Sequence, residues 1–265
     1  MSAGTLHTLQ YGEGAGAVVF LHGLFGQGRN WNTIGKALAG DRRVMLVDLP
    51  NHGRSAWTDR VDYVQMADAV AAEVLTPLAA QGPVALVGHS MGGKVAMLAA
   101  LRHPELVERL VVVDMSPVGY GTAREFTGYI RALQGLDLAA IKDREDAEAA
   151  LTAAVPTPSV RSFLLQNLRR DGDSWRWQPN LAVLGRDIEQ LSGWPEEVAD
   201  ALAPYAGPVL WIAGAESGYV KPEYDAAMTR LFPRKRLLTI KGAGHWVHSE
   251  KPEIFTEVLR RFLDS

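Results

Sequence analysis

Short apolar runs recur along the first half of the chain at intervals that leave room for one helix between each pair. They are Val18 to Leu21, Val44 to Val47, Val84 to Val87 and Leu110 to Val113. Runs of this length without polar alternation fit strands buried on both faces, and the segments between them (Trp31 to Leu38, Tyr63 to Ala80, Met91 to Arg102) carry helical spacing. Pro104 stops the last of these helices. Strand, helix, strand at this spacing predicts right-handed crossovers and a mostly parallel sheet with helices on both faces, an α/β class.

The texture changes after Asp114. From Ser116 to Tyr205 no buried strand is evident. The stretch holds an alanine-rich helical segment (Leu138 to Ala154), a Pro156-Thr157-Pro158 break, a second helix (Val160 to Arg170) and Trp175-Arg176-Trp177. The alternation then resumes with Val209 to Ala213, a helix near Glu223 to Leu231, Leu237 to Ile240 and a closing helix from Pro252 to Leu263. One core formed by 1–115 and 206–265, interrupted by a helical insertion at 116–205 that caps it, is the expected organisation.

Composition excludes several chemistries. The chain has 265 residues, a formal charge of −3 and no cysteine, which removes disulfides, thiolate zinc sites, iron–sulfur clusters and a cysteine nucleophile. No block of like charges offers a stripe for nucleic acid, and Arg234-Lys235-Arg236 reads as a solvated turn. Apolar runs are too short to span a membrane, and Met1 to Tyr11 lacks the basic and apolar regions of a signal peptide. A cytoplasmic protein is expected, of a size that needs no staple to hold a core. Oligomeric state is not readable from the residues.

Gly88-His89-Ser90-Met91-Gly92 matches G-x-S-x-G between a buried strand and a helix. A turn that sharp needs flanking residues without side chains, and it projects the Ser90 hydroxyl alone above the sheet edge. A serine needs a base, and His245 on the Gly242-Ala243-Gly244 loop after the last strand is the candidate. His248, three residues on, lacks a metal motif and reads as a surface or supporting residue; His7, His52 and His103 fall in turns or edges. The oxyanion donors expected are the backbone N–H of Met91, opening the helix, and of Leu24 in His22-Gly23-Leu24-Phe25-Gly26. Phe25 and His89 neighbour this site and are candidates to contact substrate. Asp48, at a strand end, reads as structural.

These motifs resemble the α/β-hydrolase superfamily over essentially the whole chain. More narrowly the chain is similar to YbfF-type esterases through Gly88 to Lys94, Asp114-Met115-Ser116-Pro117, Ser217-Gly218-Tyr219-Val220 and Gly244 to His248. Many of that superfamily carry their acid as G-x-x-D-x-x-V-x-P, and here Ser217 holds the aspartate slot of Gly214 to Pro222. A hydroxyl cannot stabilise an imidazolium, so another carboxylate is required. Asp114 ends a strand on the same sheet edge and is the acid that the resemblance implies, with Ser217 as a fourth member. Glu216 is the rival, one residue before the slot, and a slip of the loop would bring it in.

The resemblance implies hydrolysis of small to medium acyl esters through an acyl-enzyme, with no metal or organic cofactor and a small-molecule ester as partner. Acyl-thioester hydrolysis, lactone opening and a non-enzymatic ligand-binding role are the alternatives. Trp175, Trp177, Tyr219 and Trp246 are candidate pocket residues, although aromatics packing the insertion explain the tryptophans equally. Lys94 opposes the dipole of its helix. A nearby carboxylate is its expected partner, with an anionic substrate such as a coenzyme A thioester as the second option.

Overall fold

The computed structural model describes residues 5–121 and 123–265. Seven strands form one sheet: β1 (Thr8–Tyr11), β2 (Ala17–Leu21), β3 (Arg43–Val47), β4 (Val84–His89), β5 (Arg109–Val113), β8 (Val209–Gly214) and β9 (Lys235–Ile240). Two more, β6 (Leu168–Asp171) and β7 (Ser174–Trp177), pair as a separate hairpin. The order is β1-β3-β2-β4-β5-β8-β9, parallel except for β1 against β3. Central strands β2, β4 and β8 are buried at every position, as their unbroken apolar runs require.

From β2 the chain steps one way to β3 and then crosses to the other side for β4. The connections leaving the carboxyl ends of β2 and β4 therefore diverge and open a crevice, the place where ligands bind in open α/β sheets. Register aligns Leu21 with Gly88, His89 with Val113, Val113 with Ile212 and Gly214 with Ile240. The oxyanion loop candidate, Ser90, Asp114, Ser217 and the loop bearing His245 all follow these residues. Every predicted participant thus leaves the same edge of the sheet.

The predicted sheet strands and core helices are present. Tyr63 to Ala80 is helical in three pieces, with a π turn at Ala71–Leu75 ahead of Pro77. The region after β5 departs from expectation. Its first helix, Ala123–Gln134, was not anticipated, although Phe126, Ile130 and Leu133 carry its spacing. The alanine-rich helix shrinks to Arg144–Leu151, and the next ends at Leu165, after which Leu168–Asp171 is strand rather than helix. Asp171-Gly172-Asp173-Ser174 makes the hairpin turn, Gly172 at φ 60° taking a conformation that glycine adopts without strain. Among the described residues no helix is long and apolar enough to cross a membrane.

Candidate active site

Ser90 sits between β4 and the helix Met91–Arg102 with φ 53° and ψ −120°. A non-glycine residue there stores strain, which only tight surroundings maintain. The surroundings are tight because Gly88 and Gly92 lie where a Cβ would fall 2.2 Å from the Gly92 carbonyl oxygen and 2.5 Å from that of His22. The Ser90 N–H donates to Val113 O at 3.1 Å. Its side chain lines a cavity of about 280 Å³.

Asp114 directly follows β5, has φ 48° and is fully buried. Its Oδ1 accepts from Gly214 N–H at 3.0 Å, and its Oδ2 accepts from the Ser217 hydroxyl and from His245 Nδ1 at 2.7 Å. A carboxylate so bonded keeps its charge out of water without being left unpaired. Since Nδ1 donates to Asp114, the remaining nitrogen of His245 is Nε2, the one free to take a proton. The Tyr219 ring stacks on the imidazole at 4.1 Å, and His89 Nε2 bonds the His245 carbonyl at 2.9 Å. Glu216 is exposed at the cavity; its N–H donates to Ala243 O, so the loop keeps its register and leaves Ser217 facing Asp114.

The loop after β2 is bound from both sides. Gly26 N–H closes a turn onto Gly23 O at 2.9 Å, while Phe25, at φ 59°, offers its carbonyl to Asn167 Nδ2 at 2.8 Å. His22 Nε2 accepts from Leu49 N–H, so Nδ1 donates to Gly23 O, and burial pushes this neutral imidazole below its ordinary range. Asn167 is fully buried and also receives Gln27 Nε2 at 2.7 Å. Sequence reasoning missed Asn167, because its partners lie about 140 positions away. Asp48 braces the core as expected, accepting from Gly28 and Arg54 N–H groups.

Of the residues predicted for the site, Ser90, His245, Ser217, Leu24, Phe25, His89, Tyr219 and Trp246 line the cavity, and Met91 opens the elbow helix. Trp175 and Trp177 do not. They belong to the hairpin, where their indole N–H groups donate to Ile141 O and Leu133 O at 3.0 Å. The anticipated pocket wall comes instead from Phe126 and Tyr129 of one inserted helix and Phe163 of another. His248 is not a surface residue: it is 7% exposed, stacks on Trp31 at 4.1 Å, and burial pushes it down to about 3.

Lys94 also corrects its expectation. No carboxylate meets it among the described residues; Nζ donates to the carbonyls of Ser192 and Gly193 and lies 5.0 Å from the centre of the Tyr120 ring. It is 1% exposed, and burial lowers it to about 7. A side chain so enclosed is unavailable to a bulky anionic substrate and ties the elbow helix to the segment after β5.

Residues 16–252 match the alpha/beta hydrolase fold family. The chain is an α/β-hydrolase. This α/β-hydrolase is 39% identical over 253 residues to the sn-1-specific diacylglycerol lipase ABHD11 of Mus musculus, covering 93% of the chain and 80% of that protein. It is 32% identical to esterase YbfF of Escherichia coli strain K12, covering 93% of the chain and 92% of its relative. A solved marine-microorganism esterase superposes with a TM-score of 0.91 at 31% identity, covering 97% and 99% of the two chains. The α/β-hydrolase is a carboxylic-ester hydrolase.

Proposed function

We propose that the enzyme cleaves esters of small to medium acyl chains through an acyl-enzyme on Ser90. The observation carrying this reading is the 2.7 Å contact of His245 Nδ1 with Asp114 at the sheet edge where Ser90 is held in a strained turn. In the first half-reaction Ser90 Oγ attacks the ester carbonyl carbon as His245 Nε2 takes the hydroxyl proton. The N–H groups of Leu24 and Met91 hold the oxyanion, and collapse expels the alcohol with the proton from His245. In the second, His245 deprotonates a water that attacks the acyl carbon; the Ser90 Oγ–acyl bond breaks, the acid leaves and His245 returns the proton to Ser90 Oγ. Asp114 orients the imidazole and stabilises its cation, with Ser217 sharing the carboxylate as a supporting hydrogen-bond donor.

Segment 116–205 acts in this proposal as the cap over the site. A cavity of about 280 Å³ lies just below the ~300–1,000 Å³ range of ligand pockets, which supports modest acyl groups. The test is a panel on purified enzyme: p-nitrophenyl esters of graded length, acyl-CoA thioesters, lactones and, from the name of the mouse relative, a diacylglycerol. The expected result is the highest kcat/KM on short acyl esters. Preference for thioesters or lactones would move the substrate class while keeping the same residues. Inactivity on every member would favour a ligand-binding role.

A further inference from the structure

Away from the ester cavity, arginines gather at a second hollow. A cavity of about 180 Å³ is lined by Arg29, Arg54 and Arg169, with Asp48 and Gln178. Arg144 and Arg176 stand close enough to repel Arg169 as well, and burial together with these four guanidiniums pushes Arg169 down to about 10. Five cations converge in a protein whose formal charge is −3. Among the described residues, Arg29, Arg54, Arg144 and Arg169 form no ion pair, and only Arg176 meets a carboxylate, Asp171 at 3.7 Å. Asp48 does not neutralise the cluster by side-chain pairing: it accepts from the Gly28 and Arg54 N–H groups and contacts His7 Nδ1.

Asp48 offsets part of the charge at Arg29, but the guanidiniums outnumber it and repel one another, a repulsion that a bound anion would relieve. A polar orphan lines the hollow as well. Gln178 is 6% exposed and its Oε1 has no hydrogen-bond partner among the described residues. It could accept from a P–OH group, and a half-turn of its amide would offer an N–H to a phosphate oxygen instead. The cavity is too small for a nucleic-acid strand, whereas guanidinium forks match phosphate oxygens in pairs. Its wall is shared with the ester site: in the turn Gly28–Trp31, Arg29 lines this hollow while Asn30 and Trp31 line the other.

We propose that this hollow binds a phosphate-bearing small anion through Arg29, Arg54 and Arg169. Titration calorimetry with pyrophosphate at low ionic strength tests it on the whole enzyme. Saturable one-to-one binding is expected, weakened at least about tenfold in Arg54→Gln and in Arg169→Gln, the scale of losing a charge-assisted pair. Arg236→Gln, an exposed arginine outside the cluster, should bind as the wild type does. If Arg169→Gln fails to fold by circular dichroism, Arg54→Gln carries the comparison alone. Absence of saturable binding, or equal loss in Arg236→Gln, overturns the proposal.

Esters matched except for a phosphate on the leaving alcohol then identify the source of the anion. A lower KM for the phosphorylated member in the wild type, abolished in Arg54→Gln, makes the phosphate part of a substrate. Equal KM values alongside pyrophosphate binding make it a separate effector. Both results support the site.

Discussion

At the scale of single residues the account turns on which carboxylate serves His245. Asp114 Oδ2 takes both the imidazole at 2.7 Å and the Ser217 hydroxyl, whereas Glu216 is exposed. Asp114→Asn should therefore lower kcat by about three to four orders of magnitude, the loss typical of a triad without its acid. Glu216→Gln should stay within a few-fold of wild type. Ser217→Ala should lose about tenfold or less, since one neutral donor is removed and the carboxylate keeps its Gly214 N–H. Steady-state kinetics on one p-nitrophenyl ester decides among the three, and the reverse ranking of the two acids would overturn the assignment. Ser90, His245 and Asp114 were legible because each stands at a fixed offset from a strand end. Asn167 was not, since no local pattern announces a side chain that pins a loop 142 positions earlier.

At the scale of elements the parallel strands were readable, whereas the antiparallel edge strand Thr8–Tyr11 and the hairpin of the segment after β5 were not. Buried parallel strands are apolar throughout, as in Val84–His89, and stand out without alignment. The hairpin strand Leu168–Asp171 has one buried position and three polar residues, so its pattern matched the helix it follows. Trp175 and Trp177 were misplaced for the same reason: an aromatic pair reads as pocket or packing until its backbone partners are known. Trp175→Phe and Trp177→Phe should each lower stability by about 1 kcal/mol, through the lost indole donor, and leave KM for small esters unchanged. Urea unfolding beside a KM measurement checks this; a several-fold rise in KM with unaltered stability would restore them as pocket residues.

For the molecule as a whole, buried imidazoles make stability depend on acid. Burial pushes His52 and His248 down to about 3 and lowers His22 and His89 as well, whereas the ordinary value is 6.5. Below 6.5 the unfolded chain binds protons that the folded chain refuses. The stability these groups permit is fully present above that pH and is lost as pH falls toward 3. For His52 and His248, whose folded values lie near 3, the loss is on the order of 1 kcal/mol each per pH unit across that window. The urea midpoint should fall steeply between pH 6.5 and 4, and His52→Gln should flatten the slope. A midpoint insensitive to pH in that interval would contradict the account.

The central claim is that Ser90 is made nucleophilic by His245 held on Asp114. Reaction of the folded enzyme with a fluorophosphonate, followed by peptide mass spectrometry, tests it most directly. One adduct is expected, on Ser90, absent from Ser90→Ala and formed far more slowly in Asp114→Asn. An adduct on another residue, or equal rates in wild type and Asp114→Asn, would contradict it.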